Sequence, residues 1–274
     1  MTEILEFIKE YRILAPTIMY IIGFIFMMVV SLSNYKRHGV SKKTAFLITL
    51  VSYYGGVAGA MFMGDQFTKV SVKYGGAESN VAIFGAVMFV PFYIIGAALL
   101  AGKPWRNVMD LMAPGGFMIL ACAKFGCFIY GCCPGIECEF GVYNYIYDKV
   151  MFPSQILEST TMCMVVAFCF WYSLRYKKRV PGKAYPLTIM IYSVVRFGWE
   201  FLRYYEIPEM SNMFLGMTFW QLWCIVTFAI GIVWLLIMKI PDLPEREERF
   251  YAKRAEVVEK LKSKLPDKKK ASAK

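Results

Sequence analysis

Apolar residues along this chain come in long blocks parted by short charged loops. Seven blocks approach or exceed the roughly 20 apolar residues that a bilayer crossing needs: 16–33, 44–63, 80–101, 108–130, 157–174, 184–202 and 215–238. In hydrocarbon each backbone N–H and C=O must be bonded within its own segment, so blocks of this length predict helices. The expected fold is therefore all-α, a polytopic integral membrane protein with about seven transmembrane helices. Two blocks are less regular than the rest. Pro114-Gly115-Gly116 interrupts 108–130, and 184–202 carries charges.

The flanks divide the chain into three parts. Residues 1–14 read as a short interfacial helix, because MTEILEFIKEYR is charged and leads into a span too long for a signal-peptide core. Residues 15–240 form the membrane domain, and 241–274 a basic cytoplasmic tail. In that tail EREERFYAKRAEVVEKLKSK sets Glu and Lys at helical spacing, which predicts a surface helix. The final DKKKASAK predicts a disordered end drawn to anionic headgroups. The single histidine, His38, falls in a basic loop and is expected to be solvated.

Net charge is +11, with 58% hydrophobic and 19% charged residues. The placement of that charge makes nucleic acid an unexpected partner. Lys36, Arg37, Lys42 and Lys43 share one loop, Lys103 and Arg106 another, and Arg175 to Lys183 a third. The intervening loops carry Asp65, Glu78, Glu137, Glu139, Asp148, Glu206 and Glu209 instead. By the positive-inside rule the N-terminus lies outside, the C-terminus inside, and the number of spans is odd.

Several residues are costly in a bilayer. A Lys or Arg at mid-membrane costs about 2.5–3.5 kcal/mol on insertion scales, so such residues normally face a polar interior. Lys124 falls about 24 Å along the fourth span, Arg196 about 18 Å and Arg203 about 28 Å along the sixth. Arg196, Glu200 and Arg203 are spaced i, i+4, i+7, which predicts one helix face reading plus, minus, plus. Asn80, Gln155 and Glu158 fall at the outer ends of the third and fifth spans. Polar groups from four helices are thus expected to converge on the outward side, with Lys124 and Arg196 as an anion site. The competing reading is a structural Arg196–Glu200 pair, with Lys124 and Arg203 reaching for headgroups.

Glycine and cysteine add to this picture. Gly126, Gly131 and Gly135 flank the outer end of the fourth span, where GCFIYGCCPG predicts a shaped loop. Gly55, Gly56 and Gly59 in the second span fit either close packing or an unwound segment. Eight cysteines occur, and Cys132, Cys133 and Cys138 cluster after the fourth span. Their spacing is not that of a zinc module, and no metal or other cofactor is expected.

At these residues the chain resembles the prolipoprotein diacylglyceryl transferases, bacterial seven-span enzymes that begin lipoprotein maturation. The family's G-R-x-G-N-F-x-N-G-x-x-x-G aligns with AKFGCFIYGCCPG, Ala123 to Gly135. Its H-P-S-Q-x-x-E is FPSQILE, keeping Pro153, Ser154, Gln155 and Glu158. Its R-F-x-x-E-F-x-R is RFGWEFLR, Arg196 to Arg203, without change. LGMTFWQLWC with Gln221 and MYIIGF from Met19 to Phe24 match two further segments. Departures fall at Lys124, where the family has arginine, and at Cys127, where it has asparagine. Asn80 and Phe152 stand where it has histidine, and Pro16 where it has tyrosine.

The resemblance implies transfer of a diacylglyceryl group from phosphatidylglycerol to the lipobox cysteine of a prolipoprotein signal peptide. It also implies the bacterial cytoplasmic (inner) membrane, multi-pass, with the active site facing the outer side among membrane lipids. Arg196, Lys124 and Glu200 are then the expected catalytic residues. Asn80, Gly126, Cys127, Gly131, Gly135, Gln155, Glu158 and Arg203 are expected to bind substrate. Two other readings remain at this point: a lipid- or lipoprotein-binding relative without transfer activity, and a membrane thiol redox or metal protein using Cys127, Cys132, Cys133 and Cys138.

Overall fold

A computed structural model of the chain describes residues 11–73, 82–206 and 215–264. Seven helices run back and forth: α1 Ala15–Asn34, α2 Lys42–Lys73, α3 Ile83–Ala101, α4 Trp105–Tyr130, α5 Ser154–Phe170, α6 Ala184–Trp199 and α7 Phe219–Ile237. An eighth, α8 Leu243–Lys264, follows. Six of the first seven are long and apolar enough to cross a membrane. The exception is α6, with 16 residues and a charged last turn.

The helix α4 is the hub. It packs against α1, α5, α3 and α6, and its buried residues run almost without break from Val108 to Ala121. Pro114-Gly115-Gly116 does not break it. Instead Gly115 lets α1 come close: a Cβ there would lie 2.7 Å from the Met27 backbone. The glycines of α2 likewise serve packing and do not unwind the helix. A Cβ on Gly59 would meet the Gly85 carbonyl of α3 at 2.6 Å, and Gly56 faces Val90.

One element is not helical. Between α4 and α5, β1 Glu137–Asn144 and β2 Lys149–Met151 form a small antiparallel hairpin with a register shift between Glu137 and Val142. It marks the hairpin end of the bundle. The opposite end holds the basic loops and α8. There Arg106 pairs with Glu247 at 2.6 Å, and the Tyr251 hydroxyl accepts from the Trp105 N–H at 3.3 Å. Within α8 the expected Glu–Lys spacing gives Glu256–Lys260 at 2.9 Å.

One expectation changes. His38 is fully buried, not solvated, because the 3-10 turn Tyr35–His38 folds it under α4, and Nδ1 bonds to the Asn107 carbonyl at 2.9 Å. The expected interfacial helix, 1–14, falls among the described residues only from Tyr11 onward, and the expected disordered end, 267–274, lies outside them.

Candidate functional site

Glu158 is the centre of the site. It sits on the second turn of α5, 4% exposed, and its carboxylate gathers cations from two other segments. Lys124 Nζ of α4 lies 2.5 Å from Oε2. Arg203 Nη1 donates to Oε1 at 3.1 Å, and Arg196 Nε of α6 stands 3.8 Å from the same oxygen. Lys124 and Arg196 therefore meet on one carboxylate across the bundle interior.

A second carboxylate holds Arg196 from the other side. Glu200, 2% exposed, pairs with the Arg196 guanidinium one turn away. It also accepts from the Tyr205 hydroxyl, and from Thr218 Oγ1 at 3.1 Å. Thr218 caps α7 in a reciprocal capping box with Gln221, so the same hydroxyl joins the start of α7 to the charge cluster. Three cations face two carboxylates among the described residues, an excess of one positive charge over the carboxylates. Buried charges stay ionised only when paired or solvated by fixed dipoles.

The i, i+4, i+7 face is realised only in part. The α-helix ends at Trp199, Glu200–Leu202 form a 3-10 turn, and Arg203 is extended. The chain leaves the helix to pair with the loop after α4: Ile136 N–H donates to Leu202 O at 3.0 Å, and Tyr204 N–H to Pro134 O at 3.2 Å. Released carbonyls thereby find partners, and Arg203 still reaches Glu158.

The loop GCCPG is shaped as its composition predicts. Gly131 takes the left-handed conformation that ends α4, φ 89°. Cys133 shares that region at φ 61°. Gly135 is pressed between Leu202 and Phe152 backbone, where a Cβ would lie 2.6 Å from the Leu202 carbonyl. Gln155 Nε2 donates to Cys132 O at 2.7 Å, and Ser154 Oγ to Cys133 O at 3.2 Å. The hairpin closes the far side, with Asn144 Nδ2 donating to Gly131 O at 2.7 Å.

Of the residues expected to form the site, Lys124, Glu158, Arg196, Glu200 and Arg203 touch one another. Gln155, Gly131 and Gly135 build the adjoining loop. Half-buried Cys127 lies one turn beyond Lys124, and its carbonyl faces the Cys132 thiol at 3.8 Å. Gly126 faces elsewhere: a Cβ there would lie 2.7 Å from Pro16 Cα, so it seats the start of α1. Asn80 lies outside the described residues. All eight cysteines are free thiols, and the described residues hold no group of three or more His, Cys, Asp or Glu placed for a metal ion. The Cys133 thiol is held well below its usual range, first by its hydrogen bond with Cys132, then by the charges of Arg203 and Lys124.

Sequence reasoning missed Tyr205 and Thr218, the two groups that steady Glu200. Thr218-x-x-Gln221 was a readable signal, being a capping pair at the start of an apolar run. Tyr205 gave none.

The family model described as prolipoprotein diacylglyceryl transferase matches residues 4–237. This chain belongs to that family. Three relatives similar to it are 25–27% identical. The phosphatidylglycerol–prolipoprotein diacylglyceryl transferase 2 of Clostridium perfringens is 25% identical over 198 residues, 66% of this chain and 75% of its own length. The phosphatidylglycerol–prolipoprotein diacylglyceryl transferase of Clostridium tetani is 25% identical over 185 residues, 61% and 72% of the two chains. That of Nitratidesulfovibrio vulgaris is 27% identical over 192 residues, 68% and 66%.

Proposed function

We propose that this chain transfers the diacylglyceryl group of phosphatidylglycerol to the lipobox cysteine thiol of a prolipoprotein, at the outer side of the bacterial cytoplasmic membrane. The observation that carries the reading is the excess positive charge around Glu158. The lipid phosphate binds where Lys124, Arg196 and Arg203 converge. The thiol sulfur attacks the glyceryl carbon that bears the phosphate, a C–S bond forms, and the C–O bond to phosphate breaks. Glycerol phosphate leaves, and the thiol proton ends on it or in water.

Preorganised cations stabilise the negative charge that grows on the leaving group. The same positive field favours the thiolate over the thiol of an arriving cysteine, so a dedicated base is not required. Glu200, braced by Tyr205 and Thr218, positions Arg196. Glu158 holds the three cations within reach of one another until the phosphate displaces part of its contacts. The hairpin end faces outward because the basic loops gather at the other end.

Complementation tests this reading. Expression in a bacterium depleted of its own transferase should restore lipoprotein modification, and the Arg196→Ala form should fail. Restoration that survives Arg196→Ala refutes the anion site. A second reading rests on Phe152, which cannot carry a proton and is tied in by its backbone to Gly135 and Ile136. On that reading the protein binds phosphatidylglycerol without transferring it. Absent complementation together with retained, Arg196-dependent lipid binding would select it.

A further inference from the structure

A cavity of about 220 Å³ opens at the hairpin end, beside the charge cluster but separate from it. Its walls come from the last turn of α4, the hairpin and the entry to α5, and include Phe128, Val142, Tyr143, Tyr145, Phe152 and Gln155. Aromatic and aliphatic surface dominates. Arg12 also lines it, with its guanidinium 4.5 Å from the centre of the Tyr145 ring.

Gln155 is the polar group that matters. It is 2% exposed, and its Nε2 donates to Cys132 O at 2.7 Å. That bond fixes which way the amide faces and leaves Oε1 buried without a hydrogen-bond partner among the described residues. A buried acceptor without a donor is unfavourable, and a ligand N–H relieves it. The donors in the walls are largely committed: the Tyr143 hydroxyl donates to Asp148, the Tyr145 hydroxyl to Tyr130 O and Asn144 Nδ2 to Gly131 O, and the Arg12 guanidinium lies over the Tyr145 ring, so the acceptor oxygens of a glycerol phosphate headgroup would find little beyond Arg12. An extended peptide brings what the cavity lacks: a backbone N–H for Oε1 and apolar side chains for the walls.

Position adds to the case. Gln155 and Glu158 are i and i+3 on α5, neighbours on one face about 4.5 Å apart along the axis. An occupant bonded to Gln155 therefore lies one turn from the cations.

We propose that this cavity seats the polypeptide of the acceptor: an uncharged, extended, apolar segment that donates a backbone N–H to Gln155 Oε1 and presents its cysteine thiol to the charge cluster. That the peptide is a lipoprotein precursor rests on the transferase reading; that the cavity takes a peptide does not.

The test uses the full chain in phosphatidylglycerol proteoliposomes with a cysteine-bearing acceptor peptide. Val142→Trp fills the cavity from the half-exposed hairpin. It should raise KM for the peptide about tenfold and leave KM for phosphatidylglycerol within about twofold. An equal rise for the lipid, a fall in kcat alone, or no change overturns the proposal. A second measurement does not depend on turnover. A benzoylphenylalanine photoprobe at Tyr143 should crosslink the same peptide carrying serine for cysteine, and Val142→Trp should reduce the yield. A probe at Leu100, exposed at the opposite end, should not crosslink it. Crosslinking without any transfer would sink the transferase reading and keep the peptide cavity. No crosslink at Tyr143, or crosslinks to phospholipid alone, would sink the cavity.

Discussion

At the end away from the hairpin, Asp110 of α4 is fully buried, and its carboxylate has as many donors as it needs. Arg179 Nη1 lies 2.8 Å away, and the N–H groups of Gly182 and Ala184 at the start of α6 donate at 3.0 and 3.1 Å. One anion meets one cation and a helix N-terminus, an arrangement that leaves no net charge. At the hairpin end, on the same α4, Lys124 enters a group with three cations and two carboxylates. Burial is similar at both ends. The difference lies in stoichiometry: Asp110 closes a structural joint between α4 and α6, whereas the Glu158 cluster carries one more cation than carboxylates, the excess on which the proposed anion site rests. A buried charge is thus evidence of function only when its partners fail to balance it.

Mutations can break this contrast. The largest effect is expected for Arg196→Ala, which removes the cation shared by both carboxylates. Transfer measured by lipoprotein modification should fall by about 10²–10³, in line with loss of one preorganised charge donor. Activity that persists would make the hairpin-end cluster structural, like the other end. Next, Asp110→Ala should strand the largely covered Arg179 and lower unfolding stability in detergent by about 3 kcal/mol. The surviving folded protein should keep its kcat; a selective loss of kcat would undo the division of roles.

Thr218→Val removes a bond to Glu200 and the cap of α7 while keeping the shape. It should cost about 1–2 kcal/mol of stability and lower kcat several-fold through a looser Arg196; unchanged kcat would make Thr218 a cap and nothing more. Lys124→Arg should lower KM for phosphatidylglycerol by a few-fold, because a planar fork grips phosphate better than a point charge. The smallest change is expected for Cys132→Ser with Cys133→Ser. Transfer within a few-fold of the original would leave the thiols outside the chemistry; its abolition would favour the thiol redox reading instead.

Much of this architecture was legible beforehand. Block length and apolarity marked every helix of the bundle, because bilayer thickness and backbone bonding fix both. Their cost in a bilayer marked Lys124, Arg196, Glu200 and Arg203, and the outer end of the fifth span together with the resemblance of FPSQILE marked Glu158. The hairpin was not legible. ECEFGVYN has no strong alternation, and its pairing depends on where α4 and α5 end. His38 looked like a loop histidine because nothing local reveals that a 3-10 turn tucks it under α4. Asp110 was overlooked for the same reason, since its donors come from Arg179, Gly182 and Ala184, some seventy residues on.

The sequence by itself determined which segments are helical and which side chains are too costly to face lipid, since both follow from local composition. It did not determine that Glu158 would collect Lys124, Arg196 and Arg203, or that Asp110 would be saturated by the start of α6. Electrostatic balance belongs to a set of neighbours, and neighbours drawn from different helices are chosen by packing. Only the tertiary structure could decide which buried charges cancel and which remain in excess.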